Sequence, residues 1–436
     1  MRNSKNNELE RHIGPKALAI NSINLTIGAG IFVLPAAVAA TLGSASFIAY
    51  LACGILISLI MLCFAEMGSR VTSSGGAYAY IDSSFGPLAG FITNTLLWFG
   101  WAVLADAAIL NVMTDMISIW FPIFSQPWFR AIFFFLVMGV FAYVNIIGVK
   151  SGARMVVVMT LIKLTPLFLL IIIGIFNLKA ENLAIDALPA METIGASSLI
   201  LFFAFMGTES ALNISGEMKD PKRSIPQGIF MGIGGVLIIY LLIQLVATGV
   251  LGDELALNPE APLAETAIRM VGPLGGTVII ATAVISIYST LGGDVLATSR
   301  LPFAAAQNNL LPKVFAKIHP KYKTPYVAIL LFSGSVFVMA ISGGFETLAI
   351  LASSSALLVY LGVVLALIKT RFQKSNTDEN YFKIPGGITV PLVSLVVIGW
   401  LLSFMPFNEV IALGIFFAVL TIFYFLYGYK RKKENR

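Results

Sequence analysis

About twelve apolar runs punctuate this chain, each long enough to cross a bilayer hydrocarbon core of roughly 30 Å. They lie near 17–40, 45–68, 88–118, 130–147, 154–176, 193–215, 226–250, 273–305, 326–342, 345–368, 388–405 and 410–429. In lipid, backbone amides must be satisfied within the protein, so runs of this length predict an all-α polytopic membrane protein with 12 transmembrane helices. The 436 residues are 58% hydrophobic and 11% charged, against about one quarter charged in a soluble domain. No stretch reads as a separable soluble domain. Residues 1–16 are polar, lack the apolar segment of a signal peptide, and read as a cytoplasmic tail.

The net charge of +6 is a topology signal, and no nucleic-acid partner is expected. With the N-terminus inside, 24 of the 28 Lys and Arg residues fall on inner segments. Arg130, Lys179 and Arg269 fall outside, and Lys163 lies within a span. An odd number of helices scrambles that bias, which predicts both termini on the cytoplasmic side of the cell (inner) membrane. The polar stretch 373–381 separates a ten-helix core, 17–368, from two further helices, 388–429, and a tail, 430–436. Cys53 and Cys63 both lie in the second run and read as packing residues. With two histidines in terminal or loop segments, neither a metal cluster nor a cofactor is expected.

Two of the runs are built to break. Ile27-Gly28-Ala29-Gly30-Ile31 places two glycines at mid-depth, where each costs up to about 1 kcal/mol relative to alanine in a helix. The sixth run has Phe203-Ala204-Phe205-Met206-Gly207-Thr208-Glu209 at the corresponding depth. Interrupted spans five helices apart are what a 5+5 inverted repeat predicts, with halves at 17–176 and 193–368 and helices 1 and 6 broken. The outer half of helix 1 then presents free N–H groups to a carboxylate, and the inner break of helix 6 presents carbonyls to an ammonium. Together they form a receptor for a zwitterion, naturally an α-amino acid. Phe203 and Phe205 are candidates for an aromatic lid.

Embedded charges supply candidate coupling groups. Lys163 sits in a run that stays apolar to Phe176, where a lysine costs about 2.5–3.5 kcal/mol. It reads as a proton carrier or as a fixed cation. Glu209 follows the second break and reads as a proton carrier or a tie for the loosened backbone. Asp106 and Asp294 lie deep in spans 3 and 8. They either pair with Lys163 or line the pocket and favour a cationic side chain. Glu66 precedes Arg70 by four residues and reads as structural.

Three motifs in order carry a resemblance. Gly28-Ala29-Gly30-Ile31-Phe32, then Glu217-Met218-Lys219-Asp220-Pro221-Lys222-Arg223-Ser224-Ile225-Pro226, then Ser299-Arg300-Leu301 followed by Leu310-Leu311-Pro312 and His319–Pro325 match the signatures of one family. Across nearly its whole length the chain resembles the amino acid–polyamine–organocation (APC) transporters. The resemblance implies a LeuT-like fold, alternating access and substrate held at the breaks. It places an aromatic gate at Phe203 and a glutamate of exchanger type at Glu209. It also implies that Lys163 takes the place of a sodium ion, reaching helix 1 carbonyls and a hydroxyl at Ser289 or Thr290. Sodium-independent, proton-coupled symport or exchange is the expected mode, with an amino acid, protons and the bilayer as partners. Residues 119–129 lack the cysteine that relatives use to bind a heavy chain, so no disulfide-linked partner is expected. The leading expectation is a secondary amino acid transporter rather than an enzyme. The alternative is an antiporter of a basic amino acid against its amine, or a polyamine carrier.

Overall fold

A computed structural model describes residues 14–71, 76–148, 153–185, 187–209, 220–373 and 381–434. The tail 1–13, Glu217–Lys219 of the second motif and residues 374–380 of the polar stretch lie outside the described residues. The described residues contain helices and connecting turns, and no strand. The first apolar run is divided into α1 (Pro15–Thr26) and α2 (Gly30–Leu42), followed by α3 (Ser46–Arg70) and the short α4 (Gly76–Phe85). Next, α5 (Pro87–Thr95) passes through a π-helical stretch, Leu96–Val103, into α6 (Leu104–Ser118). Then come α7 (Pro127–Ile147), α8 (Ala153–Ile175), α9 (Met191–Phe205) and α10 (Pro221–Leu251). The remainder is α11 (Pro262–Val271), α12 (Pro273–Thr298), α13 (Arg300–Gln307), α14 (Tyr326–Ser342), α15 (Phe345–Phe372), α16 (Thr389–Leu402) and α17 (Phe407–Glu434).

Among the described residues, seven helical segments are long and apolar enough to cross a membrane. They are Gly30–Arg70, Pro87–Ser118, Pro127–Ile147, Arg223–Leu257, Pro273–Gln307, Phe345–Phe372 and Phe407–Tyr427. Four shorter apolar helices join them: Met159–Ile175, Met191–Phe205, Tyr326–Ser342 and Thr389–Leu402. Prolines at positions 15, 87, 127, 262 and 273 open their helices in the first turn, where a missing N–H costs no hydrogen bond. The periphery is apolar: α7 exposes Phe135, Leu136 and Tyr143, and α17 exposes Ile415, Val419 and Leu426. Such faces suit lipid contact.

Two expectations about element ends change. The apolar run 273–305 is not one helix: α12 stops at Thr298, and Ser299 turns the chain into α13. The segment between the runs 226–250 and 273–305, where no apolar run is expected, folds in part as α11, with Pro262, Leu263, Thr266 and Ala267 among its buried residues. That spacing is the i, i+1, i+4, i+5 face of an amphipathic helix, short enough to be hidden by its charges.

At the basic end of the bundle, Glu66 is fully buried yet fully served. It accepts hydrogen bonds from Arg70 Nη2 (2.6 Å), from Arg371 Nε (2.9 Å) and Nη2, and from the backbone N–H of Ile384 (2.9 Å). The Arg70 guanidinium lies 4.1 Å from the centre of the Tyr381 ring. This cluster ties the ends of α3 and α15 to the segment leading into α16.

Candidate functional site

The two breaks are in contact. Between α1 and α2, Gly28 N–H donates to Thr26 O (2.8 Å), and Phe32 N–H donates to Ala29 O (3.0 Å), so Ile27–Ala29 cross the gap as tight turns. The N–H groups that open α2 have no acceptor within their own helix. After α9 ends at Phe205, Met206 is extended and Gly207 takes a φ of +110°. Only glycine suits that position, because a Cβ would also fall 2.8 Å from the Leu25 carbonyl oxygen. Gly30 is likewise held by closeness: a Cβ there would fall 3.2 Å from Ala204 Cα. The Tyr240 hydroxyl on α10 spans the pair, with Ala204 O at 2.8 Å and Thr26 O at 3.1 Å for its one hydrogen. The two threonines that flank the breaks, Thr26 and Thr208, share a hydroxyl–hydroxyl bond of 2.9 Å.

Charged groups surround these breaks. Lys163 is 8% exposed, and its Nζ donates to Asn24 O and to Ile27 O (3.0 Å), the carbonyls at the end of α1. Glu209 is tied to its own turn: Gly207 N–H donates to Oε1 (3.0 Å), and Tyr360 Oη donates to Oε2 (2.6 Å). Asp106 on α6 and Asp294 on α12 are close neighbours in one cavity wall. No ion pair joins either to Lys163 among the described contacts, and Asp106 Oδ2 is buried without a partner.

A cavity of about 550 Å³ runs through this cluster. Of the expected substrate residues, Gly28, Ala29, Gly30, Phe203, Ala204, Gly207 and Asp294 line it; of the expected coupling residues, Lys163, Ser289, Thr290, Glu209 and Asp106 do. One side of α12 supplies Ser286, Ser289, Thr290, Gly293, Asp294 and Ala297, a stripe at the helical repeat. Phe203 meets Phe345 edge-on at 5.7 Å between ring centres, closing the end toward α15's N-terminus. Toward the other end the walls pass Gly76, Ala297 and Leu301, and Leu25 is 43% exposed.

Four expected residues do not line the cavity. Phe205 packs edge-on against Tyr240 at 5.2 Å, because residues two apart on a helix point to opposite sides. Of the two candidate lid rings, Phe203 lines the cavity and Phe205 does not. Ile31 is fully buried in the first turn of α2, beyond the gap. Ile27 contributes its carbonyl to Lys163 and not its side chain, and Thr208 spends its hydroxyl on Thr26. Sequence reasoning missed Tyr240, Tyr360 and Ser286. A tyrosine deep in an apolar run carries a hydroxyl that needs a partner, which was the available signal. Among the described residues no His, Cys, Asp and Glu group is arranged to hold a metal ion.

A helical membrane bundle with a polar cavity at two interrupted helices has the form of a transporter. Its sequence says which kind: the chain belongs to the amino acid permease family of the APC transporters, whose signature matches residues 13–427. Similar proteins from Bacillus subtilis strain 168 include a methylthioribose transporter, 28% identical over 462 residues, spanning 99% of this chain and 96% of that protein. Another is the branched-chain amino acid permease BcaP, 24% identical, spanning 98% of this chain and 95% of its own. The mouse large neutral amino acids transporter small subunit 2 is 28% identical, spanning 98% of this chain and 83% of its own length. The family is one of transporters and not of enzymes.

Proposed function

We propose that the chain is a secondary active transporter of α-amino acids that works by alternating access. One observation carries this reading: the start of α2 (Gly30) and the end of α9 (Phe203 and Ala204) line the same cavity. The N–H groups at a helix start suit a carboxylate and the carbonyls at a helix end an ammonium. In this reading the helices form twelve spans, with a 5+5 inverted repeat over 17–368 and two added helices. Both termini face the cytoplasm, and the protein resides in the cell membrane. The cavity then opens inward, past Ala297 and Leu301, with Phe203 and Phe345 as the outer closure. Gly28, Ala29 and Gly30 receive the carboxylate, and Ala204 and Gly207 border the ammonium.

Lys163 is the coupling group of this reading. It supplies a built-in cation to the helix 1 carbonyls, which leaves no task for sodium there. Transport is then proton-linked or an exchange, with Ser289 and Thr290 facing the same cavity. Reconstituted vesicles test the whole reading. Saturable uptake of an amino acid with counterflow, unchanged when potassium replaces sodium, is the expected result. Flux that does not saturate indicates a channel and contradicts it.

A further inference from the structure

We propose that Asp106 and Asp294 form a side-chain subsite selective for a cationic group, so that the substrates are basic amino acids. This rests on the α-amino acid reading above and names the substrate class within it. The two carboxyls come from different helices and lie beside one another in the cavity wall. Like charges in contact repel, and a cation placed between them removes that repulsion. Asp106 is 1% exposed, and its Oδ2 has no protein partner, a cost that a ligand donor offsets.

A second unpartnered group lies on the same wall. Ser286 is 2% exposed, its Oγ has no partner, and it precedes Asp294 by eight residues on one side of α12. That separation is about 12 Å along the helix, a span suited to a long side chain and too great for a short one. Ala102, Ala105 and Gly293 line the cavity near the acids and leave a path for an aliphatic stem ending in an ammonium or guanidinium. Lys163 does not compete for the acids, because its described bonds go to carbonyls. Such selectivity sets the chain apart from relatives named for branched-chain and large neutral amino acids.

Arginine and citrulline, alike in length and shape but different in terminal charge, provide the test on the purified full chain. Calorimetric titration is expected to show arginine binding about tenfold or more tightly than citrulline. In Asp106→Asn and Asp294→Asn the ratio is expected to fall near one. Equal affinities in the unsubstituted protein, binding of neither, or a ratio that survives both substitutions overturns the subsite. If one variant fails to fold, the comparison in the unsubstituted protein still decides. Agmatine, arginine without its carboxylate, separates the two readings. Should it bind as tightly as arginine and lose affinity in Asp106→Asn, the subsite stands and the α-amino acid reading falls.

Discussion

Glu66 and Asp106 are both buried acids in apolar helices, and they live in opposite circumstances. Glu66 has two guanidinium groups and a backbone N–H on its two oxygens. Asp106 has another acid beside it and one oxygen without a partner. Burying a charge costs several kcal/mol, and good geometry with full hydrogen bonding is what offsets that cost. At Glu66 the protein meets the cost with its own residues, so the cluster fastens three chain segments. At Asp106 the account is left open toward a cavity. The satisfied acid, Glu66, fastens architecture, and the acid with a free oxygen, Asp106, lines the cavity where the proposed cationic group would complete it.

That contrast can be broken by stability measurements on purified protein. The largest effect is expected for Arg371→Met, which strips Glu66 of its bidentate partner and lowers stability by about 3 kcal/mol or more, read as a clear fall in melting temperature. Tyr240→Phe comes next. It leaves the Ala204 and Thr26 carbonyls without their shared donor, for about 1–3 kcal/mol, and loosens substrate binding because both breaks lose their tie. Lys163→Ala costs about 1 kcal/mol, while uptake falls and loses its pH dependence. Uptake that keeps its pH dependence removes Lys163 from the proton route. Smallest is Asp106→Asn, expected within about 1 kcal/mol of the unsubstituted protein, since the change removes a like charge and no cation. If Asp106→Asn destabilises as much as Arg371→Met, the contrast between the two acids is wrong.

The sequence spoke clearly where the signal was local. Gly28, Gly30 and Gly207 announced breaks because glycine weakens a helix at its own position, and Lys163 stood out against an apolar run. Pairings between distant helices were not legible. Glu66 was paired with Arg70, four residues on, but Arg371 and Ile384 come from the far end of the chain. The meeting of Asp106 with Asp294 depends on how α6 crosses α12, which no local pattern encodes. Phe205 was a failure of a different kind. Its direction follows from helix geometry once Phe203 is given to the cavity, so that correction was available from the sequence itself. Gly30 shows a third case: its glycine was legible, but its reason, closeness to Ala204, required the fold.

The central claim is that the two breaks together hold a zwitterion. It is tested most directly by thermal stabilisation of the purified protein with arginine, with agmatine, which lacks the carboxylate, and with 5-guanidinopentanoic acid, which lacks the α-ammonium. A ligand that binds the folded state raises the melting temperature in proportion to its affinity and concentration. The account predicts that arginine stabilises and that each truncated compound needs at least about tenfold higher concentration for the same shift. Equal stabilisation by either truncated compound contradicts it.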